Sequence, residues 1–114
     1  MAIKSFEDIL AWQEAKNLTI EIYRIFRVCK DYSFRDQIQR AAVSIMNNIA
    51  EGYERNGNKE FRNFLYIAKG SSAEVRSMLY LALELKYISA KEYKELNNSS
   101  LMISRLLSGL IKTL

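Results

Sequence analysis

A chain of 114 residues is the size of one compact domain, long enough to fold around its own core without disulfides or metal. Its 49% hydrophobic and 26% charged residues are ordinary for a soluble globular protein, and 17 basic against 13 acidic residues leave a net charge of +4. That mild bias is compatible with a polyanionic partner but does not require one. With no proline and four glycines, long uninterrupted helices are favoured over a turn-rich sandwich. Cys29 is the one cysteine, which excludes a disulfide framework and fits a reducing cytoplasm. Glu7 and Asp8 interrupt the place where a leader would carry its apolar stretch, and no apolar run reaches the ~20 residues of a membrane span.

The first helix is expected to open near Ser5 to Asp8, whose spacing resembles a capping box. Ala11, Ala15, Leu18, Ile22, Ile25 and Cys29 follow in steps of three and four, defining one apolar stripe that Trp12, Tyr23 and Phe26 widen. Core packing is the favoured role for these aromatics, and a buried structural thiol for Cys29.

Lys30 to Ser33 form the first connection. Ser33 is a plausible N-cap for the second helix, with Asp36 in its first turn. Ile38, Ala42, Ile45 and Ile49 supply the core stripe, and the helix stops between Gly52 and Gly57, where Arg55, Asn56, Gly57 and Asn58 are turn formers.

Asn58 is positioned to cap the third helix. Its apolar face runs through Phe61, Leu65, Ala68, Val75, Leu79 and Ala82, flanked by Phe64, Ile67, Met78 and Leu85. Gly70 costs up to ~1 kcal/mol inside a helix. With Ala68, Ser71 and Ser72 beside it, close approach of a neighbouring helix is the expected compensation.

Ser89 and Glu92 form the clearest capping box, opening a fourth helix marked by Tyr93, Leu96, Ser100, Ile103, Leu107, Leu110 and Leu114. Connections this short make consecutive helices antiparallel neighbours. The expectation is an all-α, single-domain, up-down-up-down four-helix bundle over residues 1–114.

The chain has no histidine, so imidazole catalysis, haem ligation, a histidine zinc site and the Glu-x-x-His pairs of di-iron bundles are excluded. Its glycines are isolated and form no phosphate-binding loop. A carboxylate hydrolase on Glu51 and Glu74 is conceivable, but no spacing demands it. The expectation is a protein with no catalytic site, cofactor or metal.

Arg40, Ser44, Asn48, Glu51 and Arg55 form a polar seam on the second helix, and Ser71 and Glu74 lie one turn apart on the third. One reading is a network that fixes the register of the two helices. The other is a recognition surface in which Arg40 and Arg55 meet phosphate or a carboxylate. Residue types alone favour the first.

The same segment carries a resemblance. Phe6-Glu7-Asp8 with Trp12 and Ala15 begins it, followed by Arg40-Ala41-Ala42, Ser44-Ile45, Asn48-Ile49-Ala50-Glu51-Gly52 and Arg55. It continues through Glu60-Phe61, Phe64-Leu65, Ile67-Ala68, Gly70-Ser71 and Glu74 to Leu85 and Tyr87-Ile88. The pattern resembles the four-helix bundle proteins encoded within intervening sequences of bacterial 23S ribosomal RNA genes. Members of that family are in turn similar to the accessory variability determinants of diversity-generating retroelements. The resemblance implies a ring-like homo-oligomer, with a pentamer favoured, and from the retroelement relatives an association with nucleic acid and a reverse transcriptase. Met46 departs from the pattern, where the family commonly has proline, and implies a straighter second helix.

The up-down topology gathers Arg24, Arg27, Lys30 and Arg35 at one end, beside Lys86, Lys91 and Lys94. Asp31 and Asp36 are the acids that oppose the first group; Glu84, Glu92 and Glu95 offset the second. Arg55, Lys59, Arg62, Lys4 and Lys112 mark the other end. Each cluster taken singly reads as solvated surface, but copies repeated around a ring would pool into a continuous positive face. Tyr32, Tyr53, Tyr66, Tyr80 and Tyr93 suit unpaired bases or, preferably, a wet subunit interface. The leading expectation is an oligomeric binding protein for RNA, with DNA also open and no membrane partner. The alternative is a protein-directed adaptor or scaffold for an enzyme.

Overall fold

The computed structural model describes residues 3–114. A 3-10 turn at Phe6–Asp8 precedes four helices: α1 (Leu10–Phe26), α2 (Tyr32–Glu54), α3 (Asn58–Glu84) and α4 (Ala90–Lys112). Consecutive helices pack together and α4 closes back on α1, whereas the diagonal pairs are not in backbone contact. This is a four-helix bundle measuring 43 × 22 × 19 Å. The described residues contain no strand and no helix long and apolar enough to cross a membrane.

The apolar stripes meet along the axis. Ala15, Ile22, Ile38, Ala42, Ile45, Ile49, Leu65, Ala68, Val75, Leu79, Ala82, Ile103 and Leu107 are fully buried. Their steps of three and four keep one face of each helix turned inward. The stripes fray at their ends, where Ile25, Phe61, Leu110 and Leu114 are only partly buried and Leu85 is exposed, and the flanking Ile67, within α3, also faces outward. Of the aromatics assigned to α1, Phe26 is buried and Trp12 packs on Phe6 with ring centroids 5.1 Å apart, but Tyr23 lies outside the core. Cys29 is also displaced from its expected place. It follows the end of α1, is half-buried, and directs Sγ at the Asp31 carbonyl 3.8 Å away.

Three caps differ from expectation. The Asp8 carboxylate accepts the amides of Lys4 and Ser5 at 2.9 and 3.2 Å, but this cap serves the 3-10 turn. Ile9 is then extended, and α1 begins one residue later. At α2 the cap is Asp31, not Ser33: its carboxylate accepts from the Phe34 amide at 3.2 Å, and Ser33 lies inside the helix. At α3, Gly57 rather than Asn58 is the residue before the first turn, with φ 104° in a region that side chains rarely adopt. The Ser89–Glu92 box forms as read, with reciprocal bonds of 2.9 and 3.0 Å.

Gly70 is not a point of close approach. A Cβ there would meet nothing within 4 Å, whereas one on Gly52 would lie 2.5 Å from the Phe64 Cβ. The close crossing of α2 and α3 is therefore at the end of α2. Met46, on the partly buried flank, leaves α2 uninterrupted.

α3 ends in a Schellman arrangement. The Tyr87 amide donates to the Ala82 carbonyl at 2.8 Å and the Lys86 amide to Leu83 at 3.0 Å. The left-handed position at its centre is held by Lys86, φ 62°, where glycine is usual.

Candidate functional site

The end of the bundle where α1 runs into α2 concentrates guanidinium groups. Arg24 and Arg27 project from the last turn of α1 and the residue beyond it, and Arg35 from the first turn of α2. With Tyr23 and Gln39 they line one open hollow of about 350 Å³. Lys30 is exposed in the connecting turn and is not part of the hollow's lining.

Arg24 and Arg35 each have a local partner. Arg24 donates from Nε and Nη2 to the Glu21 carboxylate at 2.8 and 2.5 Å, an i,i+3 pair that holds the planar group in place. Glu21 therefore joins the acids that temper this cluster, and the i,i+3 spacing in the sequence is the signal for it. Arg35 pairs with Asp36 at 3.1 Å and lies over the Tyr32 ring, 4.8 Å from its centroid. Arg27 and Lys30 are exposed and have no ion pair among the described residues. Beside the cluster, the Asp31 carboxylate accepts from the Tyr87 hydroxyl at 2.7 Å, joining the first and third connections. This bond, helped by the Phe34 amide, holds the Asp31 carboxyl below its ordinary value and raises the Tyr87 phenol above its own.

Arg55, Lys59 and Arg62 are not assembled in this way. Arg55 bonds Glu51 one turn back at 2.8 Å and covers the Phe64 ring. Lys59 is exposed in the first turn of α3. Arg62 is half-buried and donates to the backbone oxygen of Leu114, tying α3 to the end of α4. Its guanidinium has a structural partner.

The polar seam divides into two. Ser44 and Ser71 join α2 to α3 through a hydroxyl–hydroxyl bond of 2.9 Å. Asn48 donates to the Ser44 carbonyl and hydroxyl at 2.8 and 3.0 Å, and Gln37 reaches Glu74 at 3.4 Å. Arg40 is exposed and joins no hydrogen bond or ion pair among the described residues; the Glu51–Arg55 pair is half-exposed and local to α2. The serine and asparagine portion is placed to set register, while the charged residues face outward.

A second polar layer was not read from the sequence. Ser72 and Ser100, both fully buried, join α3 to α4: their hydroxyls lie 3.0 Å apart and each lies 3.2 Å from the other's backbone carbonyl, so the two hydroxyl protons are shared among these contacts. Ser104 extends the layer, and Arg76 caps it with a 2.7 Å bond to the Ser104 hydroxyl. Ser100 falls on the apolar stripe of α4; a serine on a core stripe is the signal that a polar partner faces it.

The model of the 23S rRNA-intervening sequence protein family matches residues 7–109. The chain belongs to the 23S rRNA-intervening sequence protein family. A solved structure supports the same placement: a protein with unknown function from the S23 ribosomal protein family of Bacteroides thetaiotaomicron. It is 28% identical to this chain, with a TM-score of 0.85, covering 90% of this chain and 99% of its own. No curated protein matches. Membership in the 23S rRNA-intervening sequence protein family thus agrees with the bundle, and the hollow between α1 and α2 is the concentration of arginines this member presents.

Proposed function

We propose that this protein is a non-enzymatic, cytoplasmic, oligomeric binding protein that associates with nucleic acid, RNA first among candidates, through the α1–α2 end of the bundle. One observation carries the reading: Arg24, Arg27 and Arg35 line a single hollow with Tyr23 and Gln39. Guanidinium groups donate in-plane pairs of hydrogen bonds that match phosphate oxygens. Arg24 and Arg35 are each paired with a carboxylate, so Arg27, without an ion pair among the described residues, is the lining guanidinium first available to phosphate. Repeating the hollow in a homo-oligomer, with a pentamer favoured, would add phosphate contacts without strengthening any one of them.

The test is binding of a labelled RNA at graded salt. Affinity should fall linearly on logarithmic axes, and Arg27→Glu should weaken binding without loss of helicity. Binding insensitive to both salt and charge reversal would reject the reading. Native mass measurement with and without RNA tests the assembly.

The alternative is a protein-directed adaptor or scaffold for a partner enzyme such as a reverse transcriptase, and a separate surface favours it. The outer groove between α3 and α4 has a volume of about 700 Å³ and exposes Tyr80, Leu81 and Leu101. Apolar grooves of this kind receive amphipathic helices. Capture of a protein partner that Leu81→Ser abolishes and Arg27→Glu leaves intact would replace the first reading with the second.

A further inference from the structure

We infer that the α1–α2 hollow accepts an unpaired nucleotide, with its base stacked on Tyr23 and its phosphate held by Arg27, and does not select a duplex. This deepens the proposed function and rests on it.

The first ground is the balance of charge. Duplex binding draws its affinity from many unpaired cations laid along the phosphates. Here Glu21 engages Arg24 and Asp36 engages Arg35, at 2.5 and 3.1 Å, leaving Arg27 as the lining guanidinium without an ion pair among the described residues. One unpaired guanidinium in the lining, with Lys30 exposed in the neighbouring turn, is a weak basis for gripping a duplex.

Planar surfaces are the second ground. Tyr23 lines the hollow and is 47% exposed, so its ring is open to a stacking partner. Arg35 lies 4.8 Å over the ring of Tyr32, itself 59% exposed, so a guanidinium–phenol stack forms the adjoining wall. Aromatic rings and guanidinium planes are surfaces on which unpaired bases stack, at a gain of roughly 1–3 kcal/mol per base.

Shape is the third ground. About 350 Å³ is near the lower limit for small-molecule pockets and suits a single nucleotide. A duplex keeps its bases stacked within itself and offers such a hollow only its backbone, leaving Tyr23 unused. Gln39, on the same wall, has an amide that can donate to and accept from a base edge.

Fluorescence anisotropy with the full chain at one fixed salt concentration tests the inference. The probes are an unstructured RNA strand and a DNA strand of about twelve nucleotides, with a blunt-ended, fully paired duplex carrying as many phosphates. The strands should bind roughly 10-fold or more tightly than the duplex, and Tyr23→Leu should lose roughly 5- to 150-fold for the strands alone. Tyr23→Phe should restore binding, because it keeps the ring and discards the hydroxyl. Comparing the RNA and DNA strands shows which sugar the site takes. Equal binding of duplex and strand, or an unaffected Tyr23→Leu variant alongside a weakened Arg27→Gln variant, overturns the stacking mode while leaving the basic face as a phosphate site. No binding of any probe overturns both. Circular dichroism on each variant separates loss of contact from loss of fold.

Discussion

Gly52 of α2 lies so near Phe64 of α3 that an added methyl group would fall 2.5 Å from the Phe64 Cβ and 3.1 Å from the Phe61 ring. The nearest atom begins a side chain rather than ending one, so it cannot swing aside without its helix. Gly52→Ala should therefore destabilise the bundle by about 1–3 kcal/mol, the usual penalty of overpacking. Gly70→Ala, facing open space, should stabilise it by up to about 1 kcal/mol. Opposite shifts in the urea midpoint check both; equal shifts would contradict the crossing geometry.

The Ser72–Ser100 pair gives a second expectation. Each hydroxyl lies within hydrogen-bond reach of the other and of the opposing backbone carbonyl. Ser72→Ala should cost about 1 kcal/mol, and adding Ser100→Ala should cost less than the sum of the single changes, because the second removes a group already short of its partner. A double-mutant cycle by urea unfolding measures the coupling.

The Asp31–Tyr87 bond links two connections and should leave a signature in pH. The folded-state pKa of Asp31 lies below its ordinary 3.8, so its contribution is present above that value and is lost as pH falls through the lowered one. The phenol moves the other way. Its folded pKa lies above 10.0, so its contribution is complete below 10.0 and is lost as pH rises through the raised value. The difference in melting temperature between wild type and Tyr87→Phe should be level between about pH 5 and 9 and shrink on either side.

Lys86 holds a left-handed backbone at the end of α3, φ 62°, where a side chain crowds the following carbonyl. Lys86→Gly should raise stability by roughly 1 kcal/mol, the usual penalty relieved at a helix terminus. Thermal melts at neutral pH test this. Lys86→Ala is the control: it removes the amine, keeps the Cβ, and should gain little.

The helices were legible because their apolar residues recur at helical spacing and no proline intrudes. Ile38, Ala42, Ile45 and Ile49 could be named as core from position alone, and all are fully buried. Caps were less legible, since Asp31 and Ser33 are both competent and the choice depends on where the chain turns. Gly70 was mistaken for a crossing point because small neighbours suggest one; which glycine faces a partner depends on helix rotation, which periodicity does not supply to within one position. Similarly, Tyr23 borders the apolar stripe and was assigned inward, while the helix turns it 47% outward. At the site, the gathering of Arg24, Arg27 and Arg35 follows from topology, whereas the pairing of Arg24 with Glu21 is signalled in the sequence only by its i,i+3 spacing, which many unpaired residues share.

Because each helix rests on the one before it in the chain, most of the interior forms between segments close in sequence, and the α1–α4 seam alone joins the two extremes. Such an arrangement has low contact order and small loop-closure entropy, so the polypeptide should refold in microseconds to milliseconds. The α1–α4 seam, closing the longest loop, is then the natural last step of assembly and the first to breathe in the native state.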